Sequence, residues 1–172
     1  MASIIGVETL QHTNGTTAAT IDSSGRILTP ARPAFHVNKN GTDQSLGSST
    51  SAVEITWSNA VLDVGNHFDF SDNSYVVPVT GNYFIQCSIK INFSGSAGTY
   101  WSHTLRADDT QLFQFQQLQA VANQLGNCVN NGSAVYPLTA GQRLTVTVNV
   151  SEINCIVDGP TLQTYFSGYL IG

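Results

Sequence analysis

Apolar and polar residues alternate along much of the chain. Tyr83, Ile85, Cys87, Ile89, Ile91 and Phe93 interleave with Phe84, Gln86, Ser88, Lys90 and Asn92. Leu144, Val146, Val148 and Val150 interleave with Thr145, Thr147 and Asn149. Successive side chains of a strand point to opposite faces, so a period of two predicts strands with one core face and one wetter face. The β-branched content of both runs suits that geometry. Thr161 to Ile171, with Tyr165, Phe166 and Tyr169, reads as a last strand. Asn14-Gly15, Asn40-Gly41, Thr80-Gly81, Asn131-Gly132 and Ala140-Gly141 punctuate the chain with residues that tolerate positive φ, and so predict turns. Asp108-Asp109 reads as a hairpin tip, and Ser45 to Ser51 as a loop. Many short strands with such punctuation predict an all-β sandwich or barrel. Ala107 to Leu125 stays open at this level. Leu112, Phe115, Gln116, Gln119 and Ala122 fit a helical spacing, while Phe113 and Phe115 alternating with glutamines fit a strand in its first half.

Residues 1–33 differ from the rest. They are rich in Thr, Ala and Ser, carry turn signals at Asn14-Gly15 and Ser24-Gly25, and end in Pro30 and Pro33, which stiffen the exit. The segment reads as an extended arm, followed by a single domain over 34–172. Composition narrows what that domain does. Charged residues make up only 10% of the 172, and 60 residues are Ser, Thr, Asn or Gln. With six Lys and Arg and a net charge of −5, the chain has no basic footprint for nucleic acid or for anionic membranes. At 41% apolar residues it is not a disordered tail. No apolar run approaches the ~18 residues of a membrane span, so no membrane insertion is expected. The Met1 to Gly6 start lacks the basic and long apolar stretches of a signal peptide.

Candidate chemistry is sparse. There is no Gly-x-Ser-x-Gly, no HExxH and no GxxxxGK. His67 and Asp69 would share a strand face, but an acid–base or metal site needs further groups. Asp69, Ser71, Asp72 and Asn73 crowd oxygen ligands together without the spaced acidic ligands and terminal Glu of a calcium loop, so a solvated turn is the expected reading and calcium the alternative. Cys87, Cys128 and Cys155 have neither CxxC nor zinc spacing and are expected to be reduced and structural; a bridge between molecules through the odd one is the alternative. Five N-x-Ser/Thr triplets, beginning at Asn14, Asn40, Asn92, Asn131 and Asn149, matter only after secretion in a glycosylating host. Tyr100 and Trp101 follow a Gly-rich stretch and could stack on a ligand such as a sugar ring, though packing at a subunit contact is the preferred reading. No catalytic residues and no cofactor are expected.

One constellation is specific. Trp57, Asp63, Phe68, Tyr75, Gly81, Tyr83 and Ile85 are separated by five, four, six, five, one and one residues. This resembles the signature of the globular-head family of complement component C1q, with Trp57 and Tyr75 in place of the usual Phe and an apolar residue kept at every core position. Arg32-Pro33-Ala34-Phe35 looks like that family's first strand, Gly132-Ser133-Ala134-Val135 and Leu138 to Leu144 like its penultimate strands, and Phe166-Ser167-Gly168-Tyr169-Leu170 like its closing strand. The resemblance implies a ten-stranded, two-sheet jelly roll shared with the tumour necrosis factor ligands, assembly as a homotrimer, and strands and loops for the segment that periodicity leaves open. Some family members hold calcium near the trimer axis, but no motif here carries those ligands over.

The arm adds a second resemblance. Thr16-Thr17-Ala18-Ala19-Thr20-Ile21-Asp22-Ser23-Ser24-Gly25-Arg26-Ile27 looks like segments of bacteriophage fibre and virion structural proteins. It implies a virion protein made in the host cytoplasm and displayed on the particle surface. Thr16, Thr17, Ile21, Arg26 and Ile27 would dock on other virion proteins, and the head would decorate the capsid or form a short fibre that meets a host glycan or receptor. The alternative is a secreted ligand-binding module or lectin of the same fold.

Overall fold

The computed structural model describes residues 6–47, 51–92, 100–119, 127–151, 154–159 and 163–172. Among them there is no helix; sixteen strand segments run through the chain. The first three are β1 (Thr9–Gln11), β2 (Thr17–Ile21) and β3 (Ile27–Leu28). The others are β4 (Ala34–Asn38), β5 (Gln44–Ser45), β6 (Val53–Glu54), β7 (Asn59–Asp63), β8 (Phe68–Asp69), β9 (Ser74–Val76), β10 (Gly81–Asn92), β11 (Tyr100–Ala107), β12 (Thr110–Gln119), β13 (Asn127–Leu138), β14 (Arg143–Val150), β15 (Ile156–Val157) and β16 (Tyr165–Leu170). In the head, the ten-stranded plan appears as thirteen described segments, four of them two-residue pieces.

Two sheets make the head. The larger runs β13-β10-β16-β4-β7, with β15 and β5 extending it beside the far end of β10. The smaller runs β12-β11-β14-β9-β8, with β6 also on β14. Alternation sets the faces as the sequence implies. Tyr83, Ile85, Cys87, Ile89 and Ile91 of β10 are fully buried, as are Leu144, Val146 and Val148 of β14. These inner faces form one core with Phe35, Trp57, Tyr75 and Phe166. Asp108 and Asp109 adopt φ of 46° and 64° between β11 and β12, the left-handed pair that a two-residue hairpin requires. The segment left open by periodicity is strand over Thr110–Gln119, because the neighbouring β11 offers it a ladder along its length.

Three expectations are corrected. Asn131-Gly132 is not a turn: it lies mid-strand in β13, opposite Ser88 and Cys87. A twelve-residue ladder with β10 overrides the local turn preference there. Thr80-Gly81 starts β10 without a positive φ. Gly81 is needed instead for close approach, since a Cβ would lie 2.7 Å from Leu170 Cδ1 and 3.2 Å from Gly172 O. The wetter face of β10 is dry at one end, where Ser88 and Lys90 are buried. Ser88 Oγ donates to Gln163 O at 2.9 Å, and Lys90 Nζ pairs with Asp158 Oδ2 at 2.9 Å.

The arm is strand-like but doubles back twice. β1, β2 and β3 pair antiparallel as a separate three-stranded sheet. Gly15 and Gly25 take φ of 88° and 78° at its two turns.

The signature residues explain their own spacing. Asp63 Oδ1 and Oδ2 accept the backbone N–H groups of His67 and Phe68, each at 3.0 Å, and so clamp the Gly65-Asn66 turn. Asn73 Oδ1 holds the Trp57 N–H at 3.1 Å. Tyr83 Oη donates to Val79 O at 2.8 Å. Phe35 stacks on Tyr75 at 4.0 Å and meets Phe166 edge-on at 4.8 Å. Gly168 opens the space for this: a Cβ there would lie 2.6 Å from Ile85 Cδ1, 2.8 Å from Phe35 Cε1 and 2.9 Å from Phe84 O.

The two core tyrosines are predicted to respond oppositely to loss of the hydroxyl. Tyr83→Ala should cost ~3 kcal/mol or more as a core cavity, and Tyr83→Phe about 1 kcal/mol for the bond to Val79. The Tyr75 hydroxyl is buried without a hydrogen-bond partner among the described residues. Tyr75→Phe should therefore stabilise the head by roughly 1 kcal/mol. Urea titration of the three variants measures all of these; destabilisation by Tyr75→Phe would show that its hydroxyl is paired.

Candidate interaction surface

The outer face of the larger sheet carries two rows of uncharged residues. Register builds it in rows. Ala34 lies opposite Tyr169, Tyr169 opposite Phe84, and Phe84 opposite Val135. Directly opposed residues share a face, so these four form one apolar row across β4, β16, β10 and β13. Tyr169 is 46% exposed and Val135 56%. The ring of Phe84 meets that of Tyr169 at 5.4 Å. Two residues further along, His36, Ser167, Gln86 and Ser133 form a neutral polar row, with Leu62 of β7 opposite His36. His36 stacks on Tyr165 at 5.3 Å, and Tyr165 Oη accepts from Gln86 Nε2 at 3.0 Å. Burial lowers the His36 pKa, which favours the neutral ring. From β7 to β13 neither row carries a charged side chain, and Lys90 further along is neutralised by Asp158. Depletion of charge with retained aromatics is the composition of an interface centre.

Charge is collected elsewhere. On the smaller sheet Arg143 ion-pairs with Asp72, lies 3.6 Å from Asp69 Oδ2, and donates to Ser74 Oγ at 2.7 Å. Glu54, Asp108 and Asp109 complete the lining of a dent of about 190 Å³ around it. Asp69 and Asp72 also accept from Ser71 and Ser74, each at 2.6 Å. Ser71 and the arginine hold the Asp69 carboxyl below its usual range, while burial raises that of Glu54. The oxygen cluster noted in the sequence thus closes a turn and clasps an arginine. Among the described residues no three His, Cys, Asp or Glu are grouped to hold a metal. His67 and Asp69 line a shallow depression of about 330 Å³, where the His67 ring lies edge-on to Tyr75. Trp101 is fully buried in the core, so its reading as a ligand platform is corrected: the inward phase of β11 places it there beside His103. The side chain of Tyr100 lies outside the described residues.

The residues assigned to docking all belong to the N-terminal meander. Thr17 and Ile21 are on β2 and Ile27 on β3. Thr16 O accepts from His12 N at 2.9 Å in the first turn, and Arg26 pairs with Asp22 at 2.7 Å in the second. Sequence reasoning missed the Lys39 clasp, whose buried amine donates to Thr56 O at 2.9 Å and Gln44 Oε1 at 3.3 Å, with its pKa lowered to about 8 by burial. It also missed the Lys90–Asp158 pair. A lone lysine in the sequence gives no sign of which oxygens the fold will bring to it. None of the three cysteines is in a disulfide: Cys87 and Cys155 are buried, Cys128 half-buried, and burial pushes the Cys87 thiol well up.

Comparison with known proteins follows this geometry. The C1q domain family model matches residues 34–171. The globular domain of zebrafish complement 1qA superposes with a TM-score of 0.57 at 17% identity, covering 82% of this chain and 98% of that one. The Eiger TNF of S. frugiperda superposes at 0.56 and 16% identity, covering 82% and 94%. No curated protein sequence matches.

His103 predicts an acid limit for the fold. Burial lowers its pKa from 6.5 to about 3, so the unfolded chain binds the proton more readily. The stability this represents is full above pH ~6.5 and is lost as pH falls toward 3. Between pH 7 and pH 4 it amounts to about 3 kcal/mol. Urea titrations at both pH values should show this loss reduced by a similar amount in His103→Gln; equal losses would place the acid sensitivity elsewhere.

Proposed function

Because the chain belongs to the C1q domain family, we propose that it is a non-enzymatic homotrimeric display module whose heads associate through the outer face of the larger sheet. C1q and tumour necrosis factor domains typically form homotrimers. The observation that carries the assignment is the row Ala34–Tyr169–Phe84–Val135, an apolar strip flanked by the neutral row His36–Ser167–Gln86–Ser133, with two of its side chains about half exposed. Burying such a strip is worth roughly 25 cal/mol per Å² of apolar area. A neutral surround costs little to desolvate compared with charged groups. C1q and tumour necrosis factor domains are generally binding modules rather than enzymes, which supports the non-enzymatic reading.

In this reading residues 1–33 anchor the trimer to a virion, through Thr16, Thr17, Ile21, Arg26 and Ile27, and the head is displayed on the particle surface. The head then serves as capsid decoration or as a short fibre that meets a host glycan or receptor. The support for this is the likeness of the arm to virion protein segments and its folding apart from the head sheets. A second reading, a secreted C1q-like binding module or lectin, is favoured by the structural likeness to a complement head and a TNF ligand. The two differ in what the arm does.

Light scattering of the full chain should give a trimeric mass, and Tyr169→Glu or Phe84→Glu should give folded monomers. A monomeric wild type would end the assignment. Deleting residues 1–33 should leave a trimer that no longer sediments with its particle. Full binding by the truncated head would remove the anchoring role. A cleaved N-terminus or glycan mass on the native protein would favour the secreted reading.

A further inference from the structure

The N-terminal meander has one apolar face with exposed ends. Leu10 lies opposite Ala19, and Ile21 opposite Ile27. The period of two puts Thr17, Ala19 and Ile21 on one side of β2. Leu10, Thr17, Ala19, Ile21 and Ile27 therefore share a face, whose centre at Ala19 is buried while Ile27 is 71% exposed and Leu10 52%. A sheet this small, with no second layer against its apolar side among the described residues, is marginal in water.

We propose that this face packs against the same face of the other two copies, closing three meanders into a prism beneath the heads. The inference rests on the trimeric reading above. Size selects the occupant first. Three strands ~4.8 Å apart, of three, five and two residues, present roughly 160 Å². That is far below the ~800 Å² per partner of a standard interface between free proteins. A face so small holds only a partner that is already tethered.

Connectivity supplies that tether. Residues 29–33 alone separate β3 from Ala34, which starts β4 and stands in the apolar row of the head. Pro33 O is fixed by Leu170 N at 2.9 Å. Five residues reach at most ~18 Å, so three chains entering their heads at the shared face hold their meanders at an effective concentration on the order of millimolar. Asp22 is neutralised by Arg26 in its own chain. Glu8, whose carbonyl accepts from Ile21 N at 2.8 Å, ends the same face beyond Leu10, so its carboxylate is the one charge that the contact must leave at its open end. Thr17, Ile21 and Ile27 are then taken up inside the trimer, and Thr16, Arg26 and the outer edges of β1 and β3, unpaired among the described residues, are what remains for a partner outside it.

The full chain, Ile27→Glu and Ile27→Cys test this by sedimentation, hydrogen exchange and non-reducing gels. All three should sediment as trimers. Exchange of the β2 amides should be at least tenfold faster in Ile27→Glu, with head amides unchanged. Ile27→Cys should form disulfide-linked pairs whose yield is unaltered by tenfold dilution, which the wild type does not form. Trimers that do not cross-link through Cys at position 27, or whose β2 exchange is the same in wild type and Ile27→Glu, overturn the prism while leaving the head trimer standing. A monomeric wild type overturns the head trimer itself, and the prism with it.

Discussion

Phe35 rivets the two layers of the head. It projects from β4 in the larger sheet and stacks on Tyr75 of β9 in the smaller sheet at 4.0 Å, with Phe68 of β8 tilted beside it at 6.3 Å. Offset and edge contacts of this kind add to the area they bury. The stack exists only because Gly168 on the adjacent strand leaves room for the Phe35 ring. One missing side chain in β16 thus permits the aromatic contact, and the contact fixes the distance between sheets. Asp63 serves the same purpose from the other side. By holding the His67 and Phe68 amides it sets the turn that delivers Phe68 to the cluster.

With inner faces fully engaged, what each sheet shows outward decides how the head meets other molecules. The smaller sheet gathers acids around Arg143, a hydrated and salt-sensitive surface. The larger sheet shows rings, hydroxyls and amides. Division of charge between the two sides gives the head a sense of direction: one side suits water and the other suits protein. The short linker from β3 to β4 opens onto the uncharged side, so head and meander would share one axis of assembly.

Much of this was legible in the sequence because it is local. Period-two runs located β10 and β14 and their buried faces, and the Trp57-to-Ile85 spacing marked the residues that build the aromatic cluster and its supporting turns. Errors came where long-range pairing outranks local preference. Asn131-Gly132 is a strong turn signal, yet β10 offers it an uninterrupted ladder. Lys90 sits on a polar phase, yet Asp158 and the Gln163-Thr164 segment cover it. Trp101 follows a Gly-rich stretch that suggests exposure, yet the inward phase of β11 sends it to the core. The arm composition pointed to strand, while its folding into a meander depends on Gly15 and Gly25 taking left-handed backbone at both turns.

Topology imposes an order on how this head can be made. β16 lies between β4 and β10, both of which precede it by many residues in the chain. During synthesis β4 and β10 therefore leave the ribosome with open edges, and no earlier segment fills the gap between them. Pairings across such separations form slowly. Unclosed strand edges are sticky while they wait. The larger sheet can therefore close only after translation of Tyr165–Leu170.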